Sequence, residues 1–379
     1  MNSIRVLQIL TEPFENGGQE LLICNLYRNI NREKVQFDFI APYTGKNENL
    51  RNEIIDNGGK FYAINIDFNK NKLFNRINFF SKLKALLKEN EYDIVHINSV
   101  SLLGLTLGTL ISKMAKIKHI IVHSHNDGAD NFKYRITKKI TDKILLKYPD
   151  YYFACSNRAA EWKFPKQIIE NKKYTVIKNG INVEKFRFNE QISKKYKEEL
   201  NLKDKIVIGH VGRFEKQKNH EFIIEVFEEV LKLKQNACLI LIGEGSLKKD
   251  IEESVIRKKI EDNVMFLNIR DDVQNLLCAM DCFLFPSIYE GLGIAVIEAQ
   301  NSGLPVICSD KLVKEVEITS NIKKINLNTD KKEWAKIIIE QIEANKNQDR
   351  TLQSKIVRKA GYDIKSVAED LTNFYIGLK

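Results

Sequence analysis

Two consecutive α/β domains, each a parallel sheet covered on both faces by helices, are predicted by three observations. The chain has 379 residues, more than one ordinary domain of about 100–200 residues. Short apolar runs alternate with amphipathic helical patterns, as strands buried on both faces require. That rhythm stops at a charged, irregular stretch around Phe186–Lys205 and then starts again.

In the first half the strand-like runs are Ile4–Leu10, Phe37–Ala41, Phe61–Ile66, Asp93–Ile97, Ile120–His125, Tyr151–Cys155 and Thr175–Ile177. They are bounded by turn residues and interleaved with helical patterns such as Leu21–Ile30 and Phe79–Leu87, which is the βαβ order. In the second half the runs are Ile206–Val211, Cys238–Ile242, Val264–Leu267, Cys282–Phe285 and Pro305–Cys308. Helical patterns at His220–Leu233 and Ile294–Ala299 separate them. The predicted domains are 1–183 and 184–358, both Rossmann-like. A final helical pattern over Ser354–Leu378 is interrupted at Gly361, and residues 359–379 form a separate C-terminal helix.

Hydrophobic residues make up 43% and charged residues 29% of the chain, which excludes a disordered, collagen-like or coiled-coil protein. Lys and Arg number 60 against 50 Asp and Glu, a formal charge of +10. A nucleic-acid partner is the first thought, but no recognition helix, zinc finger or RNA-binding signature supports it. The surplus is one-sided: residues 1–185 carry 29 basic and 19 acidic residues, and residues 186–379 carry 31 of each. Such asymmetry points to an anionic partner for the first half, or to a Lys-rich composition. The six cysteines show no metal-ligand spacing and read as small core residues of a reducing, cytoplasmic compartment. Cys278 and Cys282 are expected to share a helix face. Met1-Asn-Ser-Ile-Arg5 runs straight into a strand pattern, with no leader pattern. The uncharged stretch Ile94–Ser112 holds His96 and Asn98 and reads as a buried strand and helix, not a membrane span.

Four segments carry chemistry. Gly17-Gly18-Gln19-Glu20 opens the first helix, where glycines let a phosphate or sugar approach backbone N–H groups; the alternative is a plain helix start capped by Asn16. His123-Ser-His125-Asn126 closes the fifth strand. Ligands of open α/β sheets bind beyond the carboxyl ends of strands, so these histidines contact a sugar or diphosphate, or one is structural. No third histidine or matching carboxylate follows to make a metal site. Arg213 and Lys218, in one loop after the first strand of the second half, can converge on a diphosphate or form a solvated basic loop. The most informative segment is Glu290-Gly-Leu-Gly-Ile-Ala-Val-Ile-Glu298. Gly291 and Gly293 expose N–H groups at a helix start, and the two carboxylates suit hydroxyl donors. Glu298 lies in an apolar helix, where a carboxylate without a partner is costly.

These segments together resemble the retaining GT-B glycosyltransferases of family 4, over essentially the whole chain. The stretch Tyr289–Asp310, with Lys314–Thr319 and Trp334-Ala335, looks like bacterial capsular and exopolysaccharide sugar transferases. The resemblance implies two Rossmann-like domains with parallel sheets facing across a cleft and a nucleotide-sugar donor, UDP on family grounds, held mostly by the second domain. It implies that Arg213 and Lys218 neutralise the leaving pyrophosphate. Glu290 binds the donor sugar's hydroxyls beside the N–H groups of Gly291, Leu292, Gly293 and Ile294, and Glu298 binds the ribose. Gly17 and Gly18 bring the first domain to the phosphate, and His125, or His123, is the active-site histidine. It implies front-face transfer with retention. No Asp-x-Asp occurs in the chain, in keeping with a reaction that needs neither metal nor cofactor. The family's usual Asn-Gly-Val-Asp is Asn179-Gly180-Ile181-Asn182 here.

The expected activity is transfer of one sugar to a lipid-linked or oligosaccharide acceptor in capsule, exopolysaccharide or O-antigen synthesis, with no nucleic acid involved. A GT-B epimerase or phosphorylase and a non-catalytic nucleotide-sugar-binding subunit are the alternatives. Much of the surplus charge lies in two basic stretches with aromatics and aliphatics, Lys70–Lys88 and Asn131–Tyr148. Each either meets the anionic inner face of the cell membrane or turns its apolar stripe onto its own sheet.

Overall fold

A computed structural model describes residues 3–15, 18–66, 71–125 and 132–379. The chain divides into two compact units, residues 1–180 with 364–379, and residues 181–363. The first unit holds seven strands: β1 (Ile4–Leu10), β2 (Val35–Tyr43), β3 (Phe61–Asn65), β4 (Ile94–Ser99), β5 (His119–Ser124), β6 (Tyr151–Ala154) and β7 (Thr175–Val176). Their order is β3-β2-β1-β4-β5-β6-β7, and all pairs are parallel. The second unit holds β8 (Ile206–Val211), β9 (Ala237–Ile242), β10 (Val264–Leu267), β11 (Cys282–Phe285), β12 (Val306–Ser309) and β13 (Ile322–Ile325), in the order β10-β9-β8-β11-β12-β13. Both sheets reverse their strand order beside the first strand, at β1/β4 and β8/β11, where an open sheet leaves a crevice at its carboxyl edge.

Each sheet is sandwiched between two apolar layers. In the first unit, Val6, Leu10, Phe37 and Phe39 pack one face against the helices Gly18–Asn29 and Ile364–Gly377, while Leu7, Ile9, Val95 and Ile97 pack the other. In the second, Val207, Ile240 and Phe283 face one layer and Ile208, Leu239 and Leu284 the other. Alternate residues of each strand thus serve opposite cores, which is why the strands read as unbroken apolar runs.

Four expectations change. The stretch read as irregular contains the helix Glu190–Glu199, started by the Asn189 side chain accepting from the Ile192 N–H. None of its residues is buried, so no apolar stripe marks it. Strand β13 is hidden by its charged sequence, Ile-Lys-Lys-Ile. Cys278 lies in the last turn of the helix Val273–Ala279 whereas Cys282 begins β11, so they share no helix face; all six cysteines are buried. The second unit also reaches further than 184–358. Ile181 and Val183 join its core, the Ile181 N–H donates to the Tyr362 carbonyl at 2.8 Å, and Arg358 holds Asp363 at 2.9 Å. The chain returns to the first unit only with the helix Ile364–Gly377, whose Val367, Leu371 and Tyr375 bury against the first core.

Candidate active site

Each unit gathers its polar residues at the carboxyl edge of its own sheet. In the second unit the loop after β8 and the loop after β11 are stitched together. Ile288 N–H donates to the Gln217 carbonyl at 2.9 Å, the Gln217 amide to the Tyr289 carbonyl at 2.9 Å, and the Asn219 amide to the Pro286 carbonyl at 3.2 Å. Asn219 sits at φ 59°, in the left-handed region that Asn tolerates better than most residues. It ends the turn Lys216–Lys218 and starts the helix His220–Leu233. This stitching brings Lys218 to Glu290: Nζ lies 2.6 Å from Oε1, with side chains 16% and 7% exposed. The ammonium also stands 4.6 Å from the centre of the Phe285 ring. A close charged pair on an aromatic face is held in a low-dielectric setting, where it is strong once formed and costly to break.

Arg213, from the same loop, is exposed and makes no ion pair among the described residues. Lys218 is therefore already engaged by a carboxylate while Arg213 is not, and the two cations do not act as equals. The chain passes Glu290 into Gly293, which adopts φ 82° as N-cap of the helix Ile294–Asn301; a side chain there would be strained. Leu292 is buried under this turn. Glu298 lies one turn into the helix, partly exposed, and burial raises its carboxyl to about 7 while Lys185 pulls it the other way.

Sequence reasoning missed the floor of this edge. The His210 ring, fully buried, donates Nδ1–H to the Leu284 carbonyl at 2.8 Å; among the described residues its Nε2 has no partner, and the buried Ser287 Oγ has none either. Burial holds His210 well below its ordinary value and His220 at about 4, so both are neutral. Gly243, at φ 144°, lets the loop after β9 reach the Gly212 carbonyl, which a Cβ would strike.

In the first unit Gly17 lies outside the described residues and Gly18 begins the helix Gly18–Asn29. His123 and His125 stack with ring centres 4.1 Å apart. His125 Nε2 is 2.9 Å from Asn98 Oδ1, and His123 Nδ1 is 3.2 Å from Nε2 of His96. Burial drives both His96 and His125 down to about 3 and His123 well down also, so all three rings are neutral. A separate cavity of about 600 Å³, lined by none of these histidines, opens at the carboxyl ends of β1–β4, with Phe79 and Phe80 on one wall, Lys72 and Arg76 on the same helix, and Glu12 on the other side. Glu12 accepts hydrogen bonds from Thr11 and Ser99 hydroxyls and the Ser101 N–H, and its pKa is raised by burial. Tyr62–Tyr92 and Arg5–Asp38 contacts tie the layer that also holds Phe79 and Phe80.

The two basic helices resolve the question of their apolar stripes. In Lys72–Glu89, Phe79, Phe80, Leu83, Leu86 and Leu87 are buried, but Leu73 and Ile77 are 64% and 61% exposed, with Phe74 beside them. In Phe132–Lys147, Leu145 is buried while Ile136 and Ile140 are exposed. The Lys138 ammonium turns back onto the protein, binding Asp142 and the carbonyls of Lys163 and Phe164. No helix among the described residues is long and apolar enough to cross a membrane.

Residues 16–185 match the family model Glycosyltransferase Family 4, and residues 192–359 match Glycosyl transferases group 1. EpsF of Bacillus subtilis (strain 168), named as a glycosyltransferase, is 29% identical over 378 residues, covering 98% of this chain and 96% of its own. The UDP-Gal:alpha-D-GlcNAc-diphosphoundecaprenol alpha-1,3-galactosyltransferase of Escherichia coli is 28% identical over 240 residues, 60% of each chain. The capsular polysaccharide biosynthesis glycosyltransferase CapH of Staphylococcus aureus is 26% identical over 359 residues, 91% of this chain and 92% of its own. Among solved structures, Anabaena Alr3699/HepE in complex with UDP superposes with a TM-score of 0.77 at 17% identity, over 97% of this chain and 99% of that one. That likeness establishes the GT-B fold.

Proposed function

Because the chain belongs to the glycosyltransferases, with a family 4 half followed by a group 1 half, we propose that it moves a sugar, with retention of configuration, from a UDP-sugar to a lipid-diphosphate-linked acceptor in capsule or exopolysaccharide assembly. The observation that carries this reading is the Lys218–Glu290 pair beside the Gly293 turn. A buried cation, a carboxylate and free helix N–H groups stand together at one strand edge. That set matches the two ends of a nucleotide sugar: a diphosphate that gains charge and a sugar bearing hydroxyls.

In the proposed reaction the bond from the anomeric carbon to the β-phosphate oxygen breaks. The acceptor oxygen bonds the same face of that carbon, and its proton passes to the departing phosphate oxygen. Arg213 and Lys218 hold the charge that develops on the diphosphate, with Gly17 and Gly18 offering backbone N–H groups. Glu290 exchanges part of its contact with Lys218 for a sugar hydroxyl, Gly291 through Ile294 supply N–H groups, Glu298 takes the ribose hydroxyls, and His125 serves the transferred sugar. Charge stabilisation of this kind is worth about a hundredfold to a thousandfold in rate per donor removed, and no metal or cofactor is required. The acceptor's diphosphate and the inner membrane face are drawn to the basic first unit, where Leu73, Phe74 and Ile77 lie exposed beside Lys72 and Arg76. The names of the relatives support the acceptor class: one acts on a diphosphoundecaprenol glycan and another serves capsule synthesis.

The test is release of UDP from a panel of UDP-sugars with a lipid-diphosphate glycan acceptor, with and without EDTA. We expect one donor to be consumed, EDTA to change nothing, and Arg213→Ala, Lys218→Ala and Glu290→Ala each to lose at least a hundredfold. Undiminished turnover in all three variants rejects the site, and loss of turnover with EDTA rejects the metal-free scheme.

A further inference from the structure

A closed ring of polar side chains runs through the otherwise apolar first unit, and its hydrogen-bond polarity can be read from one fixed point. Asn98 lies fully buried in β4, and its Nδ2 is 3.1 Å from the His96 carbonyl. A carbonyl only accepts, so the amide orientation of Asn98 is settled by the backbone. The other Nδ2 hydrogen goes to Gln8 Oε1 at 2.9 Å. The Gln8 amide must then point its Nε2–H at the Tyr375 hydroxyl, 3.4 Å away. Tyr375, fully buried on the C-terminal helix, has one other hydrogen-bond partner among the described residues, His96 Nδ1, at 2.6 Å. Its O–H therefore donates to that nitrogen, since a buried hydroxyl proton without an acceptor is costly. With Nδ1 accepting, a neutral His96 carries its proton on Nε2 and donates it to His123 Nδ1 at 3.2 Å. His123 in turn is protonated on Nε2. On the other arm, Asn98 Oδ1 accepts from His125 Nε2, which leaves His125 Nδ1 bare.

Both ends of this chain are unsatisfied. Among the described residues, His123, 2% exposed, has a buried Nε2 with no partner, and the buried His125 Nδ1 has none. By the polarity just traced, the first is a donor and the second an acceptor, on rings 4.1 Å apart. Phe153 seats His96 and His123 edge-on at 5.6 and 6.0 Å, so neither ring is free to flip. One donor beside one acceptor is the complement of a hydroxyl group, which is both; a carboxylate or phosphate would satisfy only the donor.

We infer that Tyr375 is a positioning residue that, through His96, fixes His123 as a donor beside His125, which Asn98 holds as an acceptor, for a sugar hydroxyl in the transferase reaction. The proposal rests on the glycosyltransferase reading above for its ligand, but the tautomers stand on geometry alone.

The experiment is long-range 1H–15N NMR of the histidine rings in the full chain, assigned by single His→Gln variants, with kinetics on the donor found in the UDP-sugar panel. In the wild type His96, His123 and His125 are expected neutral with the proton on Nε2 at pH 7. Tyr375→Phe removes only the hydroxyl. It is expected to move His96 and His123 toward mixed tautomers, leave His125 unchanged, and lower kcat about tenfold, the worth of one hydrogen bond, with KM for the donor within about twofold. His123→Phe keeps the ring stack but removes the donor, and is expected to lose a similar factor. A proton on Nδ1 of any of the three rings in the wild type, or tautomers unmoved by Tyr375→Phe, overturns the inference. So does an unchanged kcat in both variants. Absence of turnover in the wild type across the panel would instead reject the transferase reading, and the NMR result would still decide the relay. If Tyr375→Phe fails to fold, His96→Leu, which removes the donor to His123 Nδ1, is expected to move His123 toward mixed tautomers, and an unmoved His123 overturns the inference.

Discussion

Glu298 offers the sharpest quantitative test. Its carboxyl rises from an ordinary 4.5 to about 7, chiefly because burial penalises the charged form, while Lys185 opposes this. At about 1.4 kcal/mol per pH unit, such a rise separates the two protonation states by about 3 kcal/mol. The side chain is partly exposed, so solvent screening reduces what folding feels to about 2 kcal/mol. The sign follows from proton binding. Between pH 4.5 and 7 the folded chain holds the proton and the unfolded chain has released it, so stability falls as pH rises through that window and levels off above it. Glu298→Gln cannot titrate. Its stability relative to wild type should therefore increase by about 2 kcal/mol from pH 4.5 to 7.5. The chain has two tryptophans, Trp162 and the fully buried Trp334, so urea unfolding in a Trp162→Phe background reports the second unit alone. On the proposed role of Glu298, ribose hydroxyls donating to the ionised carboxyl would lower its pKa, so UDP binding near pH 7 should release a fraction of a proton. Calorimetry in buffers of different ionisation enthalpy detects it, and Glu298→Gln should abolish it with a tenfold or greater loss of affinity. Parallel pH profiles for the two proteins, or UDP binding without proton release, would refute the reasoning.

Lys218→Ala should lower the stability of the second unit by about 3 kcal/mol, because Glu290 is left buried without its counter-charge; adding Glu290→Gln should recover part of that loss in urea unfolding. Gly243→Ala places a methyl against the Gly212 carbonyl at a φ of 144°, so it should cost a few kcal/mol and weaken UDP binding, and an unchanged melt would contradict the packing of that loop. Leu73→Glu with Ile77→Glu should abolish flotation with anionic vesicles at low salt. The same pair should leave the thermal melt in place, because both side chains are exposed.

The architecture was legible because it rests on local periodicity. All twelve strand-like runs coincide with strands to within a residue or two at each end, since a strand buried on both faces has to be continuously apolar. Phe37–Ala41 is the core of a longer β2 that spans Val35–Tyr43. β13 and the helix Glu190–Glu199 escaped for the converse reason: each is polar enough that its stability comes from neighbours or caps, not from a stripe. The direction of the stripes on the basic helices was open for a related reason. Periodicity gives a face, but only packing says which face a sheet covers, and here Ile140 points outward while Leu145 points in.

The site divides along the same line. The residue types and spacing of Gly212–Asn219 and Glu290–Glu298 were enough to nominate candidate phosphate- and hydroxyl-binding groups, because glycines, cations and carboxylates at strand ends suit such ligands. Which cation faces which carboxylate was not, and the fold answers with Lys218 on Glu290 and Arg213 in solvent. The His96–Tyr375 hydrogen bond joins residues 279 apart. No local pattern can announce such a bond, because it exists only once the C-terminal helix lies on the first sheet. Sequence alone determined which chemistry is present, through composition and short-range geometry. Tertiary structure alone decided which groups are paired, which are orphaned and which way each hydrogen bond runs, because pairing depends on distances that chain separation does not set.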